Sequence, residues 1–242
     1  MTEVQMLFNS TLMIKGKAFK IVEVELYCHL DPYTHCDKQQ LKFETFYFHR
    51  INCKGFKEGS FKGMDITFGN DTEHRAYLIR SIQDSDGEVI EGPCLVVQRI
   101  LLAFGNTKKV KDFHEEYSRL NPTLSIRCES SGLYLMTSSH DEIIVESSPR
   151  VGLKYKAIEG YHCDTVIQYC MGSYRFSKKG INLKKQSSTI KMSRGLGYVN
   201  EKAAGAKLTP TALLEEQTTW HVSDIAKCYG CYRHHVSQAL RI

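Results

Sequence analysis

The chain has 242 residues, 42% apolar and 10% aromatic, which is enough to bury a real core and argues against wholesale disorder. Lys and Arg number 32 against 27 Asp and Glu, and the net charge of +5 permits a nucleic-acid partner without demanding one. No apolar run reaches the roughly eighteen residues of a membrane span, and the first residues lack the apolar stretch of a signal peptide. Nine irregularly spaced cysteines indicate a reducing compartment, so we expect an intracellular protein, nuclear or cytoplasmic.

The first predicted element is a strand over residues 20–27, where polar and apolar residues alternate. A period of two separates two faces. One face carries Val22, Val24 and Leu26, and the other carries Glu23, Glu25 and Tyr27. With His35 in the next loop, the second face predicts a pocket that binds a flat base and activates a water. The alternative is an amphipathic strand whose polar face meets solvent.

More strands and two helices follow. Residues 43–50 are rich in aromatics, and alternation in residues 59–69 sets Asp65 and Thr67 opposite an apolar face of Met64, Ile66 and Phe68. Further strands are predicted over residues 76–82, 88–90, 124–127, 133–137, 142–146 and 165–169. Gly92-Pro93 opens a helix through Phe104, and residues 110–120 form a second helix. This order predicts an α+β domain with a curved, mostly antiparallel sheet and flanking helices.

The composition changes after residue 177. Residues 178–207 hold eight Lys or Arg against one Glu and predict a basic linker. Residues 208–242 are expected to form a helical C-terminal appendage, which leaves residues 1–177 as the main domain. Cationic side chains in the linker would add affinity for nucleic acid by releasing counterions; the alternative is a plain solvated linker.

Five short motifs occur in the order of a known family. They are Val22-Glu23-Val24-Glu25-Leu26-Tyr27 with His35, then Phe68-Gly69, Leu78-Ile79-Arg80-Ser81, Gly92-Pro93 and Arg150-Val151-Gly152. In these motifs, over roughly residues 19–177, the sequence resembles the alkyladenine DNA glycosylase family, the mammalian type of 3-methyladenine DNA glycosylase. The resemblance implies that family's fold and a monofunctional DNA glycosylase of base excision repair.

The resemblance also implies a role for each matching residue. Glu25 would be the general base that activates water, as N-glycosidic hydrolysis requires. Tyr27 and His35 would sandwich a base flipped out of the duplex. Phe68 would be the wedge that fills the stack, and Arg80 would contact phosphate. The alternatives are a core aromatic for Phe68 and a surface salt bridge for Arg80. The implied partner is double-stranded DNA, bound by a monomer without metal or organic cofactor.

The chain departs from the family at Asp65. The family pattern places a second stacking tyrosine three positions before the Tyr-Gly, and the same count from Phe68 reaches Asp65, which cannot stack. As an uncharged acid in the base pocket, Asp65 would donate a hydrogen bond to a base; alternatively it caps a turn or pairs with Lys62. The pocket would then accept a different base. The other interpretations are a nucleic-acid-binding protein that has lost the chemistry, and a hydrolase of nucleosides without DNA.

Two features toward the C-terminus concern DNA binding and metal binding. The lysines expected to bind DNA are Lys178, Lys179, Lys184 and Lys185. Cys228, Cys231 and His234 have a spacing that could hold zinc, but the usual second ligand pair is missing, and free cysteines that pack a terminal helix are the simpler interpretation. We assign no metal.

Overall fold

The structure, a computed structural model, describes residues 2–105, 109–137, 141–153 and 158–184. The chain divides into two compact units. The first comprises Met1–Glu146 and Arg175–Ile181, and the second comprises the described parts of Ser147–Tyr174 and Asn182–Ile242. The predicted linker covers residues 178–207, of which residues 185–207 lie outside the described residues, as does the predicted appendage at residues 208–242.

Helices and strands alternate irregularly along the described chain. The helices are α1 (Glu3–Phe8), α2 (Pro93–Ala103), α3 (Val110–Leu120) and α4 (Cys163–Met171). The strands are β1 (Ser10–Ile14), β2 (Lys17–Cys28), β3 (Phe43–Phe48), β4 (Arg50–Ile51), β5 (Gly55–Phe56), β6 (Met64–Phe68), β7 (Arg75–Gln83), β8 (Val89–Glu91), β9 (Leu133–Thr137), β10 (Val145–Ser148) and β11 (Arg175–Lys178).

The predicted α+β class with an antiparallel sheet is confirmed. Nine of the described strands form one curled sheet, a half-barrel in the order β10-β11-β2-β7-β6-β3, with β1 attached to β2, β9 attached to β1 and β8 attached to β7. The pairings whose register is defined are antiparallel. Strand β2 is the longest and carries the predicted strand at residues 20–27. In the sheet, β2 lies in the interior, between β11 and β7.

The core lies on one face of this sheet. Every second residue of β6 is apolar, and Met64, Ile66 and Phe68 all belong to the buried cluster, as their alternation predicts. Helix α2 packs on β7 and β6. Its buried residues are Val96, Val97, Ile100 and Leu101, a spacing of three to four that forms one helical stripe. The opposite face of the sheet carries buried polar residues, among them Glu25, Arg80 and Asp65.

Local signals place the two long helices correctly. Helix α2 begins at Pro93, as predicted, because the fixed φ of proline suits the first helical position. Gly92 precedes it at φ 113°, a backbone conformation that glycine adopts without steric cost. Helix α3 covers residues 110–120 as predicted. None of the helices in the described ranges is long and apolar enough to cross a membrane.

Two of the predicted strands are wrong. Residues 165–169 lie within helix α4, where Val166 and Cys170, four apart, are both buried on one side of a helical turn. A short run of β-branched residues fits both a strand and a helix, and burial in the folded protein decides which of the two forms. Residues 124–127 form turns with a single bridge from Ser125 to Thr45. Leu124 has φ 56°, and the Asn121 side chain hydrogen-bonds both backbone groups of Ser125, so the chain turns there.

Candidate active site

A row of aligned residues crosses the polar face of the sheet. Arg175 on β11 pairs with Glu25 on β2, and Glu25 pairs with Leu78 on β7. On the other side of β7, Leu78 pairs with Asp65, and Asp65 pairs with Tyr47 on β3. Residues directly opposite each other in an antiparallel pair point to the same face. The register therefore gathers side chains from five strands into one row, which is polar except for Leu78.

Two carboxylates and two guanidinium groups form the first part of this row. Arg80 donates from Nε to Glu23 Oε1 at 3.1 Å, and its Nη1 lies 3.2 Å from Glu25 Oε1. The Tyr27 hydroxyl donates to Glu25 Oε2 at 3.1 Å. Glu23 also accepts from Arg175 Nε at 2.6 Å and from the hydroxyl of Ser81. Glu25 is thus held between a cation and a phenol.

These charged groups are buried. Glu25 is 0% exposed, and Glu23, Arg80 and Arg175 are also buried. The strand alternation is correct, but the alternative of a solvent-facing polar side is wrong. Burial by itself would lower the pKa of Arg80, but the neighbouring Glu25 and Glu23 outweigh it and raise that pKa. Because charges inside a protein require partners, the two acidic residues and the two arginines stabilise one another.

A second polar cluster surrounds His35 in the loop after β2. Lys57 Nζ lies 2.8 Å from His35 Nε2, and His35 Nδ1 lies 3.1 Å from the Tyr47 hydroxyl. An ammonium group can only donate, so Nε2 accepts and the ring proton belongs on Nδ1, facing Tyr47. Burial and the neighbouring His49 lower the pKa of His35 to about 4. Burial also lowers the pKa of Lys57 and raises that of Tyr47. His35 is therefore a neutral imidazole at pH 7.

Asp65 lies in this second cluster and is buried. Its Oδ1 lies 2.5 Å from His49 Nε2, and Gln40 Nε2 donates to its Oδ2 at 3.4 Å. The ring of His49 lies against Gly63, where an added Cβ would approach Nδ1 to 2.5 Å. Glycine at position 63 therefore makes room for the imidazole. The alternative pairing of Asp65 with Lys62 is wrong, since the Lys62 ammonium donates to Gln98.

The predicted site residues are only partly brought together. Glu25, Tyr27 and Arg80 are in direct contact. Asp65 lies on the same face, two strands away from Glu25, and His35 reaches Asp65 through the ring of His49, whose centroid is 4.5 Å from its own. Phe68 lies elsewhere: it is buried in the apolar core, edge-on to Phe43 and Tyr77.

The structure describes three of the four lysines predicted to bind DNA, Lys178, Lys179 and Lys184. Lys178 ends β11, so it belongs to the sheet rather than to a linker. Lys178 and Lys179, together with Lys20, line a groove of about 410 Å³, which Asp141 and Glu142 also border. Lys184 is exposed in the second unit. Lys185 lies outside the described residues, as do Cys228, Cys231 and His234.

Sequence reasoning missed three residues of the polar face. Tyr47 and His49 alternate with the core residues Phe46 and Phe48, as side chains on opposite faces of a strand do. Because the segment is rich in aromatic residues, this alternation is hard to recognise in the sequence. Arg175 lies in a four-residue strand that the sequence did not predict. Its alternation with Phe176 and Ser177 is too short to be distinctive. Within the described chain, no group of three or more His, Cys, Asp or Glu residues is arranged to hold a metal ion.

Comparison with known proteins gives a family relationship but indicates no function. No family model matches the chain. The chain is 35% identical over 205 residues to the uncharacterized protein L759 of Acanthamoeba polyphaga mimivirus, and the match covers 76% of this chain and 88% of that protein. The chain therefore belongs to the same family as the mimivirus protein L759.

Proposed function

We propose that the protein is a monofunctional DNA N-glycosylase with a glycosylase-like fold, which flips a modified base and hydrolyses its bond to the sugar. The observation that carries the proposal is the position of Glu25. Its carboxylate lies between Arg80 and Tyr27 on the buried polar face of the sheet, directly opposite Arg175. The motifs shared with the alkyladenine DNA glycosylases also support it.

The chemistry assigns separate tasks to these groups. Glu25 takes a proton from water as positive charge develops on the sugar carbon. Arg80 and Tyr27 orient the carboxylate, and a fixed orientation lowers the cost of reaching the reactive geometry. Across β7, Asp65 and His49 supply a polar wall for the base in place of a stacking tyrosine. Such a wall favours a base that offers hydrogen-bonding groups along its edge.

The burial of Glu25 adds a requirement. A carboxylate that is 0% exposed reaches water and substrate only after the groups above it move. The proposed reaction therefore includes an opening step, and steps of this kind limit the rate of many enzymes.

The same burial favours a second candidate function. A nucleic-acid-binding protein that has kept the fold without the chemistry needs no accessible carboxylate. Glu25 would then serve to hold Arg80, and through it β2 and β7, in place. This protein would bind DNA through its lysines and leave every base intact.

The test is excision from duplexes that each carry one modified base, followed by alkaline cleavage of abasic sites. The proposal expects cleavage of at least one duplex by the full-length protein, and Glu25→Gln should slow it by roughly 10²-fold or more. Glu115→Gln on the exposed side of α3 is the matched control and should keep full activity. Binding to DNA without cleavage of any duplex would favour the second candidate.

A further inference from the structure

Two nitrogens of the Arg175 guanidinium are buried and have no hydrogen-bond acceptor among the described residues. Its Nε donates to Glu23, but its Nη1 and Nη2 are buried and meet no acceptor in the part of the chain that the structure describes. A buried donor left unpaired costs about 1–3 kcal/mol, and a charged one costs more. A buried group without a hydrogen-bond partner needs an explanation, such as an ordered water, an ion or a catalytic role.

The location of Arg175 indicates which kind of ligand its guanidinium would bind. Arg175 stands directly opposite Glu25 in the pairing of β11 with β2. Side chains in such a pair share a face, with Cβ atoms about 4.5–5.5 Å apart. A base whose sugar carbon is attacked by water from Glu25 would therefore lie within reach of the free edge of Arg175.

We propose that Arg175 is a catalytic residue that stabilises the departing base. This inference rests on the proposed glycosylase function. Nη1 and Nη2 donate hydrogen bonds to a carbonyl oxygen or ring nitrogen of the base, and they neutralise the negative charge that the base gains as it leaves. Donors held in place before charge develops contribute strongly, because they need not reorganise during the reaction.

The step balances in atoms and electrons. The water oxygen forms a bond to the sugar C1′ carbon, and one water proton passes to Glu25. The bond between C1′ and the base nitrogen breaks, and its electron pair stays on the base. The charge spreads to the acceptor that faces Arg175. The base takes up a proton from solvent on release, and Glu25 returns its proton to solvent.

This role defines a class of substrate. A neutral base with a carbonyl oxygen, such as uracil or hypoxanthine, leaves as an anion and benefits from the guanidinium. A cationic alkylated base, such as 7-methylguanine, leaves as a neutral molecule and gains nothing. The charges of Glu23 and Glu25 are matched by those of Arg80 and Arg175, so the network offers no excess negative charge to attract a cation. We therefore infer a preference for neutral oxo bases.

The experiment uses the full-length protein and three duplexes, which carry deoxyuridine, deoxyinosine or 7-methyldeoxyguanosine. Single-turnover excision is compared with spontaneous loss of each base. The wild-type protein should accelerate loss of uracil or hypoxanthine more than loss of 7-methylguanine. Arg175→Met should lower excision of the neutral bases by about 10²- to 10³-fold more than excision of 7-methylguanine. Arg175→Gln keeps a donor and should recover part of the loss, and Arg119→Met on α3 is the control.

The outcomes separate this inference from the function on which it rests. An equal loss on neutral and cationic bases in Arg175→Met, or a wild-type preference for 7-methylguanine, overturns the role of Arg175. The wild-type comparison decides even where Arg175→Met fails to fold. If no base is excised, the proposed function itself is overturned, and if Glu25→Gln excises as fast as wild type, the role of Glu25 as general base is overturned. If Glu25→Gln is slow but neutral bases are not preferred, only this inference fails.

Discussion

Glu25 and Asp65 flank the same residue, Leu78, from the two sides of β7. Two strand spacings separate their backbones, about 10 Å. Both carboxylates point to the polar face, and each has its own basic partner, Arg80 for Glu25 and His49 for Asp65. The side chain of Leu78 shares this face and lies between the two carboxylates, and all three residues are buried.

Loss of Arg80 should destabilise the fold strongly. Arg80→Met removes a cation from both Glu23 and Glu25, and an uncompensated buried charge typically costs about 3–5 kcal/mol. Urea unfolding at pH 7 measures this cost, with Arg119→Met as an exposed control. The double variant Arg80→Met/Glu25→Gln should lose less than the sum of the two single changes, since their effects are coupled. Strict additivity would contradict the ion pair.

The pairing of Asp65 with His49 should appear as a coupling energy. Asp65→Asn and His49→Gln each disrupt the contact of 2.5 Å, so the second change should cost little once the first is made. Residues in direct contact show couplings of about 0.5–3 kcal/mol, measured by unfolding of the wild type, both single variants and the double variant. A coupling of zero would mean that His49 does not hold Asp65.

His35 should make the protein less stable in mild acid. Its pKa lies at about 4 in the folded protein and near 6.5 in the unfolded chain, so the unfolded chain binds more protons between these values. Its contribution is fully present above pH 6.5 and is lost as the pH falls to about 4. The loss is on the order of 3 kcal/mol. His35→Gln should lose correspondingly less stability over this range in urea titrations, and parallel pH profiles would contradict the burial of a neutral ring.

Phe68 should matter for stability because it packs in the core. Phe68→Ala should cost about 3–5 kcal/mol, the usual range for a buried aromatic. Phe43 is 64% exposed and makes a suitable comparison, since Phe43→Ala should change the unfolding free energy much less. A Phe68→Ala protein that keeps its stability but loses affinity for damaged duplexes would instead identify Phe68 as the predicted wedge.

The lysines can be tested by the salt dependence of DNA binding. Gln replaces Lys178 and Lys179 in one full-length variant, and Lys184 and Lys185 in another. For every phosphate that a variant no longer neutralises, the slope of log affinity against log salt should flatten by about one, whatever the DNA sequence. Lys111→Gln, on the exposed face of α3, is the control. An unchanged slope in both variants would remove these lysines from the interface.

The sequence by itself determined what depends on neighbours along the chain. Alternation in β2 and β6 set which residues face the core and which share a polar face, because side chains on a strand point to opposite sides in turn. Gly92-Pro93 determined where α2 begins, because the backbone preferences of these two residues are local. Such patterns account for the α+β class and for most strands of the sheet.

Only the tertiary structure decided what depends on distant residues. Arg175 meets Glu23 across 152 positions of sequence, and no local pattern specifies that contact. Burial, rather than the alternation of β2, made Glu25 a paired internal charge instead of a solvent-facing one. Helix α4 forms where β-branched residues suggest a strand, since the burial of Val166 and Cys170 outweighs a weak intrinsic preference. Pairing register and burial come from the whole fold, and they decide which polar residues stand together.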